Sequence, residues 1–473
     1  MRQRVRQPME IEPALRLALD YASKAGASFT EARGEKTTKF KISLENDKVN
    51  QASYDIKIGI GIRIFLNGSA GFSFTNKLNK QSIKETVNIA LKIAKVSKKV
   101  KSKINIKKPK LNKFSPKKLN VQVHPKKISE KEKQELCLDL YRNSSSFKEI
   151  VKIQSRYAEY YGKIYYVNSC GVNISYEPLL IGLSVNCTAR KNGALNESYN
   201  EVGGSFGFEL FKKESCSPEY LSRDASIWAI RKLHARSPPT GEFPVVIDPI
   251  LGGTIIHESF GHLAEADRII AGQSPLVNRI GQIISSEKLT IIDEGTPACG
   301  GFYIPFDDEG TPCRRLEIVR NGVLMGYMSN REASSELGIE LTGNARSQDY
   351  SYEPIVRMRN TYIKSGDWKF EELIEETKEG IYAIDIIGGY VTDGLFTFKS
   401  PRGYLIKNGE LKHPLRDIVI SGEIMSFLKN VDAVCNDLRL DANPFFSCLK
   451  SGQRVFVGTG APHFRVKTIH IGI

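Results

Sequence analysis

No stretch of this sequence approaches the ~20 consecutive apolar residues that a membrane-spanning helix needs. Met1-Arg2-Gln3-Arg4 is followed by no apolar signal core, so the expectation is a cytoplasmic chain that no membrane holds. The eight cysteines are scattered from Cys137 to Cys448 without a C-x-x-C pair. That spacing excludes an all-cysteine zinc ribbon and argues against a disulfide framework. Gly59-Ile60-Gly61 has no P-loop lysine on a following helix, which leaves it as strand and turn rather than a phosphate cradle.

What is present is the make-up of a globular chain: 473 residues, 41% hydrophobic, 26% charged and 9% aromatic. At roughly 100 to 200 residues per domain, two to four domains are expected. Lys and Arg number 68 against 53 Asp and Glu, a net charge of +15, which raises the question of a nucleic-acid partner. Much of the excess lies between Ser97 and Lys133, in runs such as Lys98-Lys99-Val100-Lys101 and Lys107-Lys108-Pro109-Lys110 where Phe114 is the only aromatic. Nucleic-acid grooves interleave aromatics or arginines with their charge. A solvated connector is therefore the preferred reading, and a nucleic-acid-binding protein is the rival function.

Periodicity divides the rest into an α+β chain. Ile11, Leu15, Ala18, Leu19 and Ala22 have helical spacing, with Gly26 to end the helix. Alternating runs Phe40–Leu44 and Ile56–Phe65, the turn Asn67-Gly68 and a strand through Phe72 and Phe74 predict antiparallel sheet, and a helix follows over 81–96. We expect an N-terminal α+β domain over 1–100, a basic connector over 101–133, a strand-rich central domain over 134–240 and a large mixed, β-rich C-terminal domain over 241–473. The breaker Ser237-Pro238-Pro239-Thr240-Gly241 marks the last boundary.

Just past that boundary stands His257-Glu258-Ser259-Phe260-Gly261-His262. In H-E-x-x-H peptidases, histidines at i and i+4 share one helix face and bind zinc, and the glutamate acts on the water. Here the spacing is one residue longer, and at about 100° per residue the two side chains diverge by ~140° on a straight α-helix. The helix must deform, through a π-type turn or an end at Gly261. Gly252-Gly253-Thr254 is expected to supply a flexible turn with an N-cap at Thr254. A catalytic zinc takes a third protein ligand. The residues leave Glu265, Asp267, Cys448 and His463 open for that place, and a Cys448–His463 cysteine peptidase as a further alternative. Asp307-Asp308-Glu309, followed by Gly310-Thr311-Pro312, is read as an acidic turn with no catalytic role.

The motif and its surroundings resemble the TldD/PmbA family, once described as DNA-gyrase modulators and understood as zinc metallopeptidases with an HExxxH motif. The likeness runs through Asp307-Asp308-Glu309-Gly310, the stretch Glu317 to Gly326, Leu341-Thr342-Gly343-Asn344, Cys448-Leu449-Lys450-Ser451-Gly452-Gln453 and Val457-Gly458-Thr459-Gly460, and reaches back to Gly59 to Arg63 and Asn67 to Phe72. The resemblance implies zinc held by His257, His262 and Cys448, with Glu258 as the catalytic base. It also implies short or unfolded peptides bound in extended form, and a dimer, including a heterodimer with a metal-free sister subunit. Leu449 departs from the glycine common beside the family's cysteine.

Overall fold

The computed structural model describes residues 9–97, 116, 118–297, 300–392 and 394–472. The first half of the expected basic connector, residues 101–115 together with 117 and so including Phe114, lies outside the described residues. Among those described, no helix is long and apolar enough to cross a membrane.

Helix α1 (Ile11–Lys24) buries Ile11, Ala14, Leu15, Ala18 and Ala22 on one face. It stops before Gly26, whose φ of 82° suits a residue without Cβ. Strands β1 (Phe29–Glu45) and β2 (Lys48–Leu66) form a long antiparallel hairpin. Asn67 and Gly68 then turn the chain with φ of 51° and 85° into β3 (Ser69–Thr75), the conformation Asn-Gly favours. Helix α2 (Lys80–Val96) is capped by Asn79, whose side chain accepts from Ser82 N at 2.9 Å. With α1 it covers Ile60, Ile62 and Ile64 of β2.

After α3 (Glu130–Ser145), the strands β4 (Ile150–Asn168), β5 (Asn173–Tyr176), β6 (Leu179–Lys191) and β7 (Ala194–Gly204) continue the same sheet. Its order is β3-β2-β1-β4-β6-β7 with β5 on β4, and every pairing is antiparallel. The first and central strand-rich segments thus share one hydrogen-bonded sheet, joined where β1 pairs β4. Helices α3 and α4 (Pro218–Lys232) cover its second half over Phe40, Tyr157, Leu183 and Val185.

Beyond α4 a second sheet begins with β8 (Gly241–Ile247), which runs beside the strands Glu379–Ile384 and Phe464–Ile471. The strand Leu395–Lys407 pairs both with Glu410–Glu423 and with Glu379–Ile384, closing this sheet on itself. Strand Gly388–Thr392 is added at an open edge. The largest apolar core fills this part of the molecule, and Val245, Ile247, Leu251, Ile255, Ile256 and Phe260 carry the chain through it. Their burial anchors the segment that bears the two histidines.

Candidate metal centre and cleft

Helix α5 (Pro249–Ile255) starts earlier than the sequence suggests. Asp248 is its N-cap, accepting from Leu251 N at 2.9 Å, and Pro249 takes the first position, where no N–H is needed. Thr254 is therefore not a cap; it lies within the helix and donates to Ile250 O at 3.0 Å. Gly252 and Gly253 are helical rather than a flexible turn. A Cβ on Gly252 would meet the Phe464 ring, and one on Gly253 would come within 2.5 Å of Gly460 N. Close approach to the C-terminal strands, not conformational freedom, demands glycine there.

From Ile256 to Phe260 the helix widens into a π-turn, with Gly261 N donating to Ile256 O five residues back. The i,i+5 spacing calls for this deformation, and it brings the His257 and His262 rings to 5.4 Å between centroids. Gly261 itself has ordinary helical angles, φ −55° and ψ −47°. Its missing Cβ makes room for the Met358 thioether. A short 3-10 turn, Gly261–Ala264, then carries His262 away from α5.

Cys448 arrives from a separate hairpin, Cys448–Lys450 with Gln453–Val455, 186 positions along the chain. Its Sγ lies 3.3 Å from His262 Nε2. One donor atom each from His257, His262 and Cys448 falls within 4.8 Å of the others, and all three residues are buried. Both ring nitrogens of His257 are buried without a hydrogen-bond partner among the described residues, an arrangement that is costly unless something coordinates them. Burial alone would raise the Cys448 thiol, but the two histidines outweigh it and hold the thiol down to about 4. Burial would lower His262, but Glu265 and Cys448 outweigh it and push the imidazole up to about 10. Two imidazoles and a low-pKa thiol make a donor set that fits a divalent ion such as zinc.

Glu258 occupies a different position from the donors. Its side chain is one-third exposed, with Oε2 3.8 Å from His262 Nε2, and it lines a cleft of about 1030 Å³ together with Tyr199, Thr254, Leu449 and Thr459. Leu449, at 54% exposure, points away from Cys448 along the alternating strand, so a side chain in place of glycine is accommodated.

The other sequence candidates are engaged elsewhere. Glu265 Oε2 lies 2.9 Å from His262 Nδ1, behind the ring, and Asp267 accepts from Lys450 Nζ at 2.6 Å. His463 lies 2.8 Å from the Tyr382 hydroxyl and 2.6 Å from Asp437 Oδ2, so it does not partner Cys448. Asp307 accepts from Glu309 N at 3.0 Å and Thr311 N at 2.8 Å, closing the acidic turn, and Asp308 pairs with Arg33 at 2.6 Å. Two neighbours of the site were given no role from the sequence. Arg357, fully buried, donates to Cys448 O at 2.7 Å and Gln453 O at 3.1 Å. Lys450 reaches Glu265. Only its place two residues beyond Cys448, on the same face of a strand, could have marked it.

The site sets three buried metal-donor side chains beside a glutamate-lined cleft, on an α+β scaffold of several antiparallel and mixed sheets. The chain belongs to the PmbA/TldD metallopeptidase family: residues 30–94 match the model for PmbA/TldA metallopeptidase domain 1, residues 123–233 its central domain and residues 240–473 its C-terminal domain. A metalloprotease of Methanocaldococcus jannaschii is 37% identical over 429 residues, covering 90% of this chain and 92% of that one. A zinc metalloprotease TldD homolog of Saccharolobus solfataricus is 31% identical, covering 95% and 98%. A crystal structure from Thermotoga maritima, of a protein whose name proposes a modulator of a DNA gyrase, superposes with a TM-score of 0.81 over 98% of this chain and 100% of that one. At 22% identity that likeness speaks for the fold alone.

Proposed function

We propose that this chain is a zinc-dependent peptidase acting on short or unfolded peptides, with His257, His262 and Cys448 as metal ligands and Glu258 as general base. The observation that carries the reading is the convergence of three donor atoms within 4.8 Å, beside a glutamate that faces a cleft. When bound, zinc supplies Lewis acidity, polarising a peptide carbonyl and lowering the pKa of water toward about 7. Glu258, open to the cleft, takes a proton from the attacking water on its carboxylate and returns it to the departing amine. His257 and His262 stay fixed by the buried helix, so only Glu258 and the substrate need to move.

The open edge of strand Gly388–Thr392 borders the same cleft through Gly388, Gly389 and Val391. Unpaired backbone there suits an extended peptide added as a further strand, which recognises main chain rather than sequence. Ile387, Tyr390 and Leu395 expose 53%, 83% and 59% of their surface near that edge. Apolar surface of this kind supports a second subunit closing over the cleft, either another copy or a metal-free sister.

The test measures metal and peptidase activity together. The purified chain should hold one zinc and cleave an unstructured peptide, Glu258→Gln should keep the zinc and lose at least ~100-fold in kcat, and Cys448→Ser should lose the zinc. Full activity in both variants would overturn the assignment.

A further inference from the structure

Two of the three donors sit on one helix, and the third comes from a hairpin far along the chain. Few side chains bridge the two. Arg357 ties the hairpin's backbone to the segment before Met358, and its side-chain hydrogen bonds among the described residues go to the hairpin alone. Lys450 does bridge them. It follows Cys448 on the same face of the hairpin strand, and its Nζ donates to Glu265 Oε2 at 2.9 Å, Asp267 Oδ2 at 2.6 Å and Val356 O at 2.9 Å. All three ammonium donors are thereby used. Glu265 Oε2 also lies 2.9 Å from His262 Nδ1, and the Glu265 side chain is wholly buried.

We infer that Lys450 and Glu265 form a latch that positions His262 and Cys448 against one another for metal binding, an inference that rests on the zinc reading above. The physical argument concerns geometry and tautomer. A carboxylate on Nδ1 holds a proton there and fixes the ring's orientation, so that a neutral His262 would turn the lone pair of Nε2, the nitrogen facing Cys448, toward a metal. The ammonium on the same carboxylate oxygen stops it from rotating away and holds the Cys448 strand at the correct distance. Asp267 grips Lys450 but forms no hydrogen bond or ion pair with His262 among the described residues, so it serves as an internal control. Lys450 and Glu265 are thus positioning residues, acting through His262 and Cys448.

The test is zinc affinity by chelator competition on the full chain. It is combined with the near-ultraviolet sulfur-to-cobalt band of the cobalt-loaded protein, which reports whether Cys448 is a ligand. Lys450→Met and Glu265→Gln should each weaken zinc binding about 10- to 100-fold, the usual effect of losing an outer-shell partner. The double variant should be little worse than the weaker single, because both changes break one chain of contacts. Lys450→Arg should restore affinity to within a few-fold, and Asp267→Asn should cost less than either latch residue. The cobalt band should shrink or shift in Lys450→Met. Unchanged zinc affinity and an unchanged cobalt band in folded Lys450→Met, or fully additive losses in the double variant, would overturn the latch while leaving the zinc site standing. A parent chain that binds no zinc overturns both.

Discussion

Replacing Gly253 with alanine separates two explanations of the glycines around the histidine helix. If Gly253 were there for flexibility, alanine would stiffen the helix and stabilise the chain by about 0.5–1 kcal/mol. The packing says otherwise: the added methyl would lie 2.5 Å from Gly460 N and 2.7 Å from its Cα, and backbone cannot swing aside. Overpacking of this kind costs about 1–3 kcal/mol, so the net loss after the helix gain is ~0.5–2 kcal/mol. For a cooperative unit of 150–250 residues each kcal/mol moves the melting temperature by about 2–4 °C. The expected drop is therefore about 1–8 °C by scanning calorimetry. Gly261→Ala provides the comparison, since its methyl clashes with the pliable Met358 thioether, stands at an ordinary 3.5 Å from Ile256 O, and joins a backbone that is already helical. That variant should stay within about 1 kcal/mol of the parent. Gly253→Ala should also loosen zinc, because displacing α5 moves His257 four residues further on. If Gly261→Ala melts below Gly253→Ala, or Gly253→Ala melts with the parent, the close-approach argument fails.

Asp248 titrates as well as caps. Burial and the neighbouring Asp385 push its carboxyl up to about 6, against about 4 in an unfolded chain. The folded state therefore holds that proton more tightly between these values, and stability falls as pH rises from about 4 to about 6. Asp248→Asn should flatten that slope in urea melts, and an equally steep slope would refute the assignment. Asp293 accepts from Arg359 Nε at 2.6 Å, Thr361 Oγ1 at 2.9 Å and Asn344 Nδ2 at 2.8 Å, all fully buried. Asp293→Ala strands the Arg359 guanidinium and should cost about 3–5 kcal/mol; a loss below ~1 kcal/mol by chemical denaturation would show that the pair is dispensable. Chelation should leave far-ultraviolet circular dichroism unchanged, because Ile256 and Phe260 are anchored in the main core and Arg357 holds the Cys448 backbone. Collapse on chelation would place this chain among small domains that fold only with metal.

How far the sequence could be read depended on where each residue's reason lay. Helix α1 and the Asn67-Gly68 turn answer to their own neighbours, so periodicity and turn chemistry located them. The deformation was legible for the same reason, since two histidines five apart cannot meet on a straight α-helix, and of the two forms expected, a π-turn or an end at Gly261, the fold has the π-turn. Gly252 and Gly253 misled, because what forbids a side chain there is the Phe464 ring and the Gly460 backbone, contributed by the far end of the chain. The third donor was equally non-local. Glu265 and Asp267 were close enough to compete with Cys448 on spacing, and only the family resemblance favoured the cysteine; in the fold, the two acids bind His262 and Lys450 instead. Strand β1 shows the limit most clearly. The alternation at Phe40 to Leu44 revealed its end, while Glu31, Arg33 and Glu35 hid its beginning by placing charge where a core strand should be apolar. Those charges face inward because the C-terminal half supplies their partners. Arg33 meets Asp308, Glu31 meets Arg331, and Arg63 of β2 meets both Glu31 and Glu309. An apolar-polar pattern identifies a strand only when its neighbours are apolar, and here the neighbours are ions from another part of the chain.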